Sequence, residues 1–267
     1  MCPPQLFELL QRPHFAPESP GSAGGAARSP GRAAPRSLSY AHLVDLSQAL
    51  TPEAPVYPGF PPISIAPFMN HAEHGVAIEQ LSLVDHSGTH LDAPYHCSPA
   101  GITVDQMPPE ALIVPAVVID ITEQARADHA ALVTPDDLYA WEQANGRIPA
   151  GAAVLMRSGW GTRFGDAAAF VNADASGTAQ FPGFGLEAVQ WLLAERDVVG
   201  LGVDTLSLDH GPSPNFAVHY AFLPTQRWGL ECLANLEQLP PVGATLFIGA
   251  PKIGHGSGAP ARVLAMW

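Results

Sequence analysis

Apolar residues in this chain come in short, dense runs separated by Gly, Pro and polar residues. LIVPAVVID (112–120), AAVLMRS (152–158), VVGLGVD (198–204) and ATLFIGAP (244–251) are the densest. Apolar runs of this length, bounded by turn residues, predict buried strands. Upstream, HLVDLSQAL (42–50), ISIAPF (63–68) and VAIEQLSLVDH (76–86) read as further strands. Two segments carry helix signals instead. Thr134-Pro135-Asp136-Asp137 supplies an N-cap, a Pro at the first helical position and early acids, and Gly146 closes the segment. FGLEAVQWLLAER (184–196) carries an apolar stripe at Leu186, Val189, Leu192 and Leu193. Strands first, then strands mixed with helices, predict one α/β domain over residues 39–267. Residues 1–38 break the pattern. They hold seven Pro, four Gly and the stretch PGSAGGAARSPGRAAPRS, which predicts a flexible Pro/Gly/Ala-rich tail.

Charge narrows the function. Twelve Lys+Arg stand against 25 Asp+Glu, for a net charge of −13 over 267 residues. Four of the arginines (Arg12, Arg28, Arg32, Arg36) lie in the tail against Glu8 and Glu18, so the tail carries about +2 and the domain about −15. A nucleic-acid partner needs clustered cations and is excluded. Three scattered cysteines form no CxxC pair and no disulfide framework, which suits a reducing, cytoplasmic setting. Cys97 and Cys232 read as buried structural thiols. No run of 18 apolar residues predicts a membrane span, and the first residues lack the pattern of a secretory leader. Against one lysine, Lys252, and eleven arginines stand eleven histidines. That proportion points to metal or proton chemistry.

The histidines cluster. In DHSGTHLDAPYH, His86, His90, Asp92 and His96 occupy even positions, which share one face of an extended chain. Ser87-Gly88-Thr89 lets the backbone turn, so that His86 and His90 can close on a common point. An apolar fold does not bury four titratable groups unless they are paired or ligated. Imidazole with carboxylate is the ligand set of borderline ions such as Zn²⁺ or Mn²⁺. No GxSxG elbow supports a serine nucleophile, and no GxGxxG supports a dinucleotide site.

HSGTHLDAPYH resembles the HxGTHxDxPxH signature of the cyclase family of metal-dependent hydrolases, which includes kynurenine formamidases and isatin hydrolases. VDLSQALTPEAPVYPG, FPGFGLEAVQWL, GLGVDTLSLD, ECLANLEQLP and GSGAPARVLA follow in the family's order. The resemblance implies a mixed β-sheet with flanking helices and a homodimer or homotetramer. It implies one or two divalent metals per subunit. His86, His90 and Asp92 would bind the first, and Asp92 would bridge to a second held by His219 and Glu231. His96 would be the catalytic proton shuttle rather than a ligand. The implied activity is hydrolysis of a non-peptide C–N bond in a small amide, arylformamidase-like on N-formylkynurenine. The alternatives are an isatin-hydrolase-like opening of a cyclic amide and a non-catalytic metal-binding scaffold.

The substrate side is read from the residues. Tyr57, Phe60 and Trp160 are aromatics at segment ends, where pockets are lined. Phe60 follows Pro58-Gly59 where formamidases tend to carry an acid, so the pocket is expected to be more apolar. Ser207 and Asp209 follow a buried strand and are expected to shape the substrate wall or hold a loop.

Overall fold

The computed structural model describes residues 39–267; the tail expected over 1–38 lies outside them. Thirteen strands are described. In chain order they are β1 (Leu43–Asp45), β2 (Ser64–Met69), β3 (Ile78–Ser82), β4 (His90–Asp92), β5 (Ile113–Asp120), β6 (Leu132–Val133) and β7 (Ala152–Arg157). Then come β8 (Gly183–Phe184), β9 (Val198–Val203), β10 (Trp228–Glu231), β11 (Val242–Gly249), β12 (Gly258–Pro260) and β13 (Arg262–Met266). Nine of them form one mixed sheet in the order β1-β13-β11-β5-β7-β9-β10-β4-β12. The centre, β5-β7-β9-β10, is parallel, and both flanks are antiparallel. This is the α/β domain with a mixed sheet that was expected.

Alternation along the central strands divides the core in two. On β5, Val114, Ala116 and Val118 face one side, while Val117 and Ile119 face the other. On β7, Ala153 and Leu155 join the first set, and Ala152, Val154 and Met156 join the second. Period-two alternation in a strand produces this split, and burial on both sides accounts for the unbroken apolar runs of the sequence. Helices cover the second side. Leu138 and Trp141 from Pro135–Asn145, Val189 and Leu192 from Leu186–Glu195, and Val218 and Phe222 from Ala217–Phe222 all pack there. On the other side Leu91, Ala259, Ala261 and Val263 come in from β4, the β12 region and β13, and close the core from within the sheet.

The first helix starts as its sequence dictates. Thr134 accepts from the Asp137 N–H while the Asp137 carboxylate accepts from the Thr134 N–H at 2.8 Å, and Gly146 ends the helix at φ 86°. The strands missed by the hydrophobic pattern are β4, β6, β8, β10, β12 and β13. They have two to five residues each, too few to show a period. Two pairs stand apart from this sheet: β6 pairs with β8, and β2 and β3 form a hairpin in which every β3 residue is exposed.

Leu155 is wholly buried between neighbouring strands. Leu155→Ala should lower the urea midpoint by an amount equivalent to about 2–5 kcal/mol with an unchanged slope. Thr134→Ala, which removes only a cap, should cost about 1 kcal/mol.

Candidate metal centre

β4 carries the centre. It pairs with β10 on one side, with His90 opposite Glu231, and with β12 on the other. His90 and Asp92 share a face because they are two residues apart, while Leu91 points into the core at 0% exposure. The Gly88-Thr89 step sets the register. Gly88 turns the chain at φ 61°, a conformation that Gly adopts without steric cost. The Thr89 hydroxyl donates to the Cys232 carbonyl at 2.7 Å and accepts from the Gln48 N–H. β4 is thereby locked against the end of β10. His219 comes from the helix Ala217–Phe222, and Glu231 is held by the Leu208 N–H at 2.9 Å.

The ligand atoms converge. His90 Nε2 lies 3.3 Å from both Asp92 Oδ1 and Glu231 Oε2. His219 Nε2 lies 3.1 Å from Glu231 Oε1 and 3.5 Å from Asp92 Oδ2. His86 Nδ1 lies 2.7 Å from Asp92 Oδ1. Two triads result, His86–His90–Asp92 and Asp92–His219–Glu231. Each imidazole has its other nitrogen occupied: His90 by the Gly88 carbonyl, His219 by the Asp209 carboxylate, and His86 by the Ser257 hydroxyl. Such outer contacts aim the remaining nitrogen inward. His90 Nε2 and Asp92 Oδ2 are buried without a hydrogen-bond partner.

Charge balance agrees with a cation site. Burial pulls the His90 pKa down, but the carboxylates of Asp92 and Glu231 outweigh it and push it up to about 10. Burial likewise works against His219, whose pKa is raised by Asp209, Asp92 and Glu231. Burial raises Asp92, yet contacts with His219, His86 and His90 hold it well below the ordinary carboxylate range. The carboxylates draw protons onto the imidazoles, and a divalent cation would replace those protons. Orphaned inward atoms, nitrogen–oxygen donors and this charge pattern all fit Zn²⁺- or Mn²⁺-type ligation.

A cavity of about 270 Å³ opens on these residues. His96 lines it, from the short turn Pro94–His96, with its ring centroid 4.1 Å from that of His86. Tyr57, Phe60, Leu206, Ser207, Phe216 and Tyr220 form its outer wall.

Residues 44–210 match the family model Cyclase, described as "Putative cyclase". The chain belongs to the cyclase family. It is similar to the isatin hydrolase of Roseibium aggregatum, with 36% identity over 242 residues, 84% of this chain and 91% of that protein. It is also similar to the solved isatin hydrolase A from Ralstonia solanacearum, with 42% identity and a TM-score of 0.79. That match covers 84% of this chain and 91% of that one. The kynurenine formamidase of Salinibacter ruber is 28% identical over 228 residues, 83% of this chain and 96% of its own length.

Within this cyclase-family chain the structure brings together His86, His90, Asp92, His96, His219 and Glu231, with Tyr57, Phe60 and Ser207 on the adjoining wall. It does not bring Trp160 to that wall, and that expectation is corrected; of the two roles expected of Asp209, it holds a loop. Trp160 is 1% exposed, donates to the Phe170 carbonyl at 2.8 Å and lies beneath the Arg163 guanidinium, so it is core. Asp209 lies behind His219, accepting from its Nδ1 at 2.7 Å and from the Val218 and His219 N–H groups. It orients a ligand and caps a helix. Cys232 is buried in the core as expected, whereas Cys97 is only half-buried; both residues border the cavity. Phe216 and Tyr220 were missed, because the turn that aims them has no signature in the local sequence.

Asp92 is common to both triads. Asp92→Ala should therefore abolish retention of Zn²⁺ or Mn²⁺ through desalting, measured by elemental analysis. His219→Ala leaves His86–His90–Asp92 intact and should retain part of the metal.

Proposed function

We propose that this chain is a metal-dependent hydrolase that cleaves the amide C–N bond of a small aromatic amide. One observation carries the reading: two metal-ligating triads and a further imidazole, His96, open on a single aromatic-walled cavity. Isatin hydrolases and kynurenine formamidases among the relatives support the same bond class. Zn²⁺ or Mn²⁺, one or two per subunit, suits the donors. A divalent metal held by them would supply a lowered water pKa and a polarised carbonyl, as amide hydrolysis near neutral pH requires.

The protein's own residues do the rest. Burial first, then the charges of His86 and His219, lower the His96 pKa below its ordinary 6.5 against the opposing carboxylates. The ring is thus unprotonated at neutral pH and can take the proton of the attacking water. It can then return that proton to the leaving nitrogen. The Ser207 hydroxyl is buried at the wall with no partner, free to bond a substrate carbonyl. Tyr57, with ring centroids 5.9 Å from Phe60 and 5.8 Å from Phe216, offers flat apolar surface.

A cyclic, isatin-like amide is favoured over N-formylkynurenine by the cavity lining. Among the described residues no Lys or Arg lines it to pair with the carboxylate of an amino-acid substrate. A panel of isatin, N-formylkynurenine and a simple lactone, followed by absorbance with Zn²⁺ or Mn²⁺, tests this. Isatin should turn over fastest; a silent panel removes the substrate class. His96→Ala should keep its metal and lose about 10²–10⁴ in kcat/KM. Parental turnover by that variant would remove the shuttle role.

Self-association is part of the same proposal. Phe68, Val76, Ile78 and Leu81, at 45–52% exposure, stand out on the β2–β3 hairpin. Only Ile65 and Met69 of this hairpin are half-buried, and a two-stranded hairpin so thinly covered is marginal alone, which supports a second copy as its cover. Light scattering should show an oligomer that Phe68→Glu/Leu81→Glu dissociates. The two described cysteines are unpaired, which supports a reducing compartment such as the cytoplasm.

A further inference from the structure

His86 is held unlike the other ligand candidates. His90 and Asp92 sit in β4, Glu231 in β10 and His219 in a helix, whereas His86 lies in the loop between β3 and β4. A strand or helix fixes the direction of a side chain; a loop leaves more to contacts. For His86 those contacts come from the other end of the domain. Its Nε2 lies 3.0 Å from Ser257 Oγ. Ser257 donates to Asp85 Oδ2 at 2.8 Å, and the Gly258 N–H donates to the same oxygen at 3.2 Å. With its proton given to Asp85, the Ser257 hydroxyl accepts from His86, so Nε2 carries a ring proton and Nδ1 is the nitrogen left for the ion. Nδ1 faces Asp92 Oδ1 at 2.7 Å, a hydrogen bond whose proton holds the place of a cation. Behind the ring, a Cβ on Gly258 would stand 2.6 Å from His86 Cε1. Only a glycine at the start of β12 leaves room for the imidazole.

We propose that Asp85 and Ser257 are positioning residues that fix the tautomer and orientation of His86 and thereby set the metal affinity of the His86–His90–Asp92 triad. The inference rests on the metal-site reading above. Without Ser257 Oγ the Nε2–H loses its acceptor. Without Asp85 the Ser257 hydroxyl is free to turn and donate to Nε2, which moves the ring proton to the nitrogen that should face the ion. The Asp92–His219–Glu231 triad has its own outer partner, Asp209, and is spared.

The test compares the full-length protein with Ser257→Ala and Asp85→Ala by Zn²⁺ titration against a chromophoric chelator. The ion that uses His86 should bind about 10–100-fold more weakly in both variants. Any second ion should keep its affinity. In metal-free protein, long-range ¹H–¹⁵N spectra should show a proton on His86 Nε2 in the parent, and loss of that proton, with Nδ1 alone protonated, in the variants. Folded variants with parental Zn²⁺ affinity, or a parent whose His86 Nε2 carries no proton, would overturn the proposal. A parent that binds no Zn²⁺ sinks the metal reading instead, and the tautomer measurement still decides the positioning role. Asp85 is partly solvent-exposed, so Asp85→Ala keeps the test alive if Ser257→Ala does not fold.

Discussion

A carboxylate with no solvent exposure, Asp92, holds the site together. Taking an ion of that size out of water costs several kcal/mol unless partners replace the solvent. Here three imidazoles do so, with nitrogens 2.7, 3.3 and 3.5 Å from its oxygens. His90 reaches it from the same strand, His86 from the loop before β4, and His219 from the helix Ala217–Phe222. Leu91, on the opposite face of the same strand, anchors that arrangement in the core. Folding energy from one face of β4 thus holds the charged cluster on the other.

The legible parts of the chain were those whose signals are local. The long apolar runs yielded the central strands because they exceed the length at which burial on both faces shows. HSGTHLD was readable from its ligand residues: alternation puts His90 and Asp92 on one side of β4, while His86 reaches them from the loop through the turn at Gly88. His219 and Glu231 were not derivable in this way. Their place depends on β10 pairing with β4 and on the helix behind β9, and neither leaves a local trace, so the family resemblance supplied them. Trp160 marks the opposite failure. An aromatic at a strand end reads the same whether it faces a cavity or the layer beneath it. Only tertiary packing separates Trp160 under Arg163 from Phe60 at the cavity mouth.

The outer contacts explain why short motifs recur so far apart in the chain. His90 is steadied by Gly88, two residues away; His219 by Asp209, ten away; His86 by Ser257, 171 away. GTH, DTLSLD and GSGAPAR therefore bear on one centre from three directions. Each supplies a hydrogen-bond partner for the nitrogen that faces away from the centre. Both roles expected of DTLSLD are present: Ser207 borders the cavity, while Asp209 holds the loop to Val218 and steadies His219.

The scarcity of cations bears directly on catalysis. Among the described residues the permanent cations are seven arginines and Lys252, and none lines the cavity. Arg126, Arg157, Arg196 and Arg262 are paired with carboxylates elsewhere, and Arg163 lies over Trp160. Attack on an amide places negative charge on the carbonyl oxygen, and that charge needs a preorganised partner. The cavity offers hydroxyls: Ser207, and Tyr57, whose phenol burial first and then Glu231 keep protonated. Neutral donors give part of that stabilisation. Among the described residues, full positive charge would reach this oxygen through a cation held by the two carboxylates and three imidazoles, since no Lys or Arg lines the cavity.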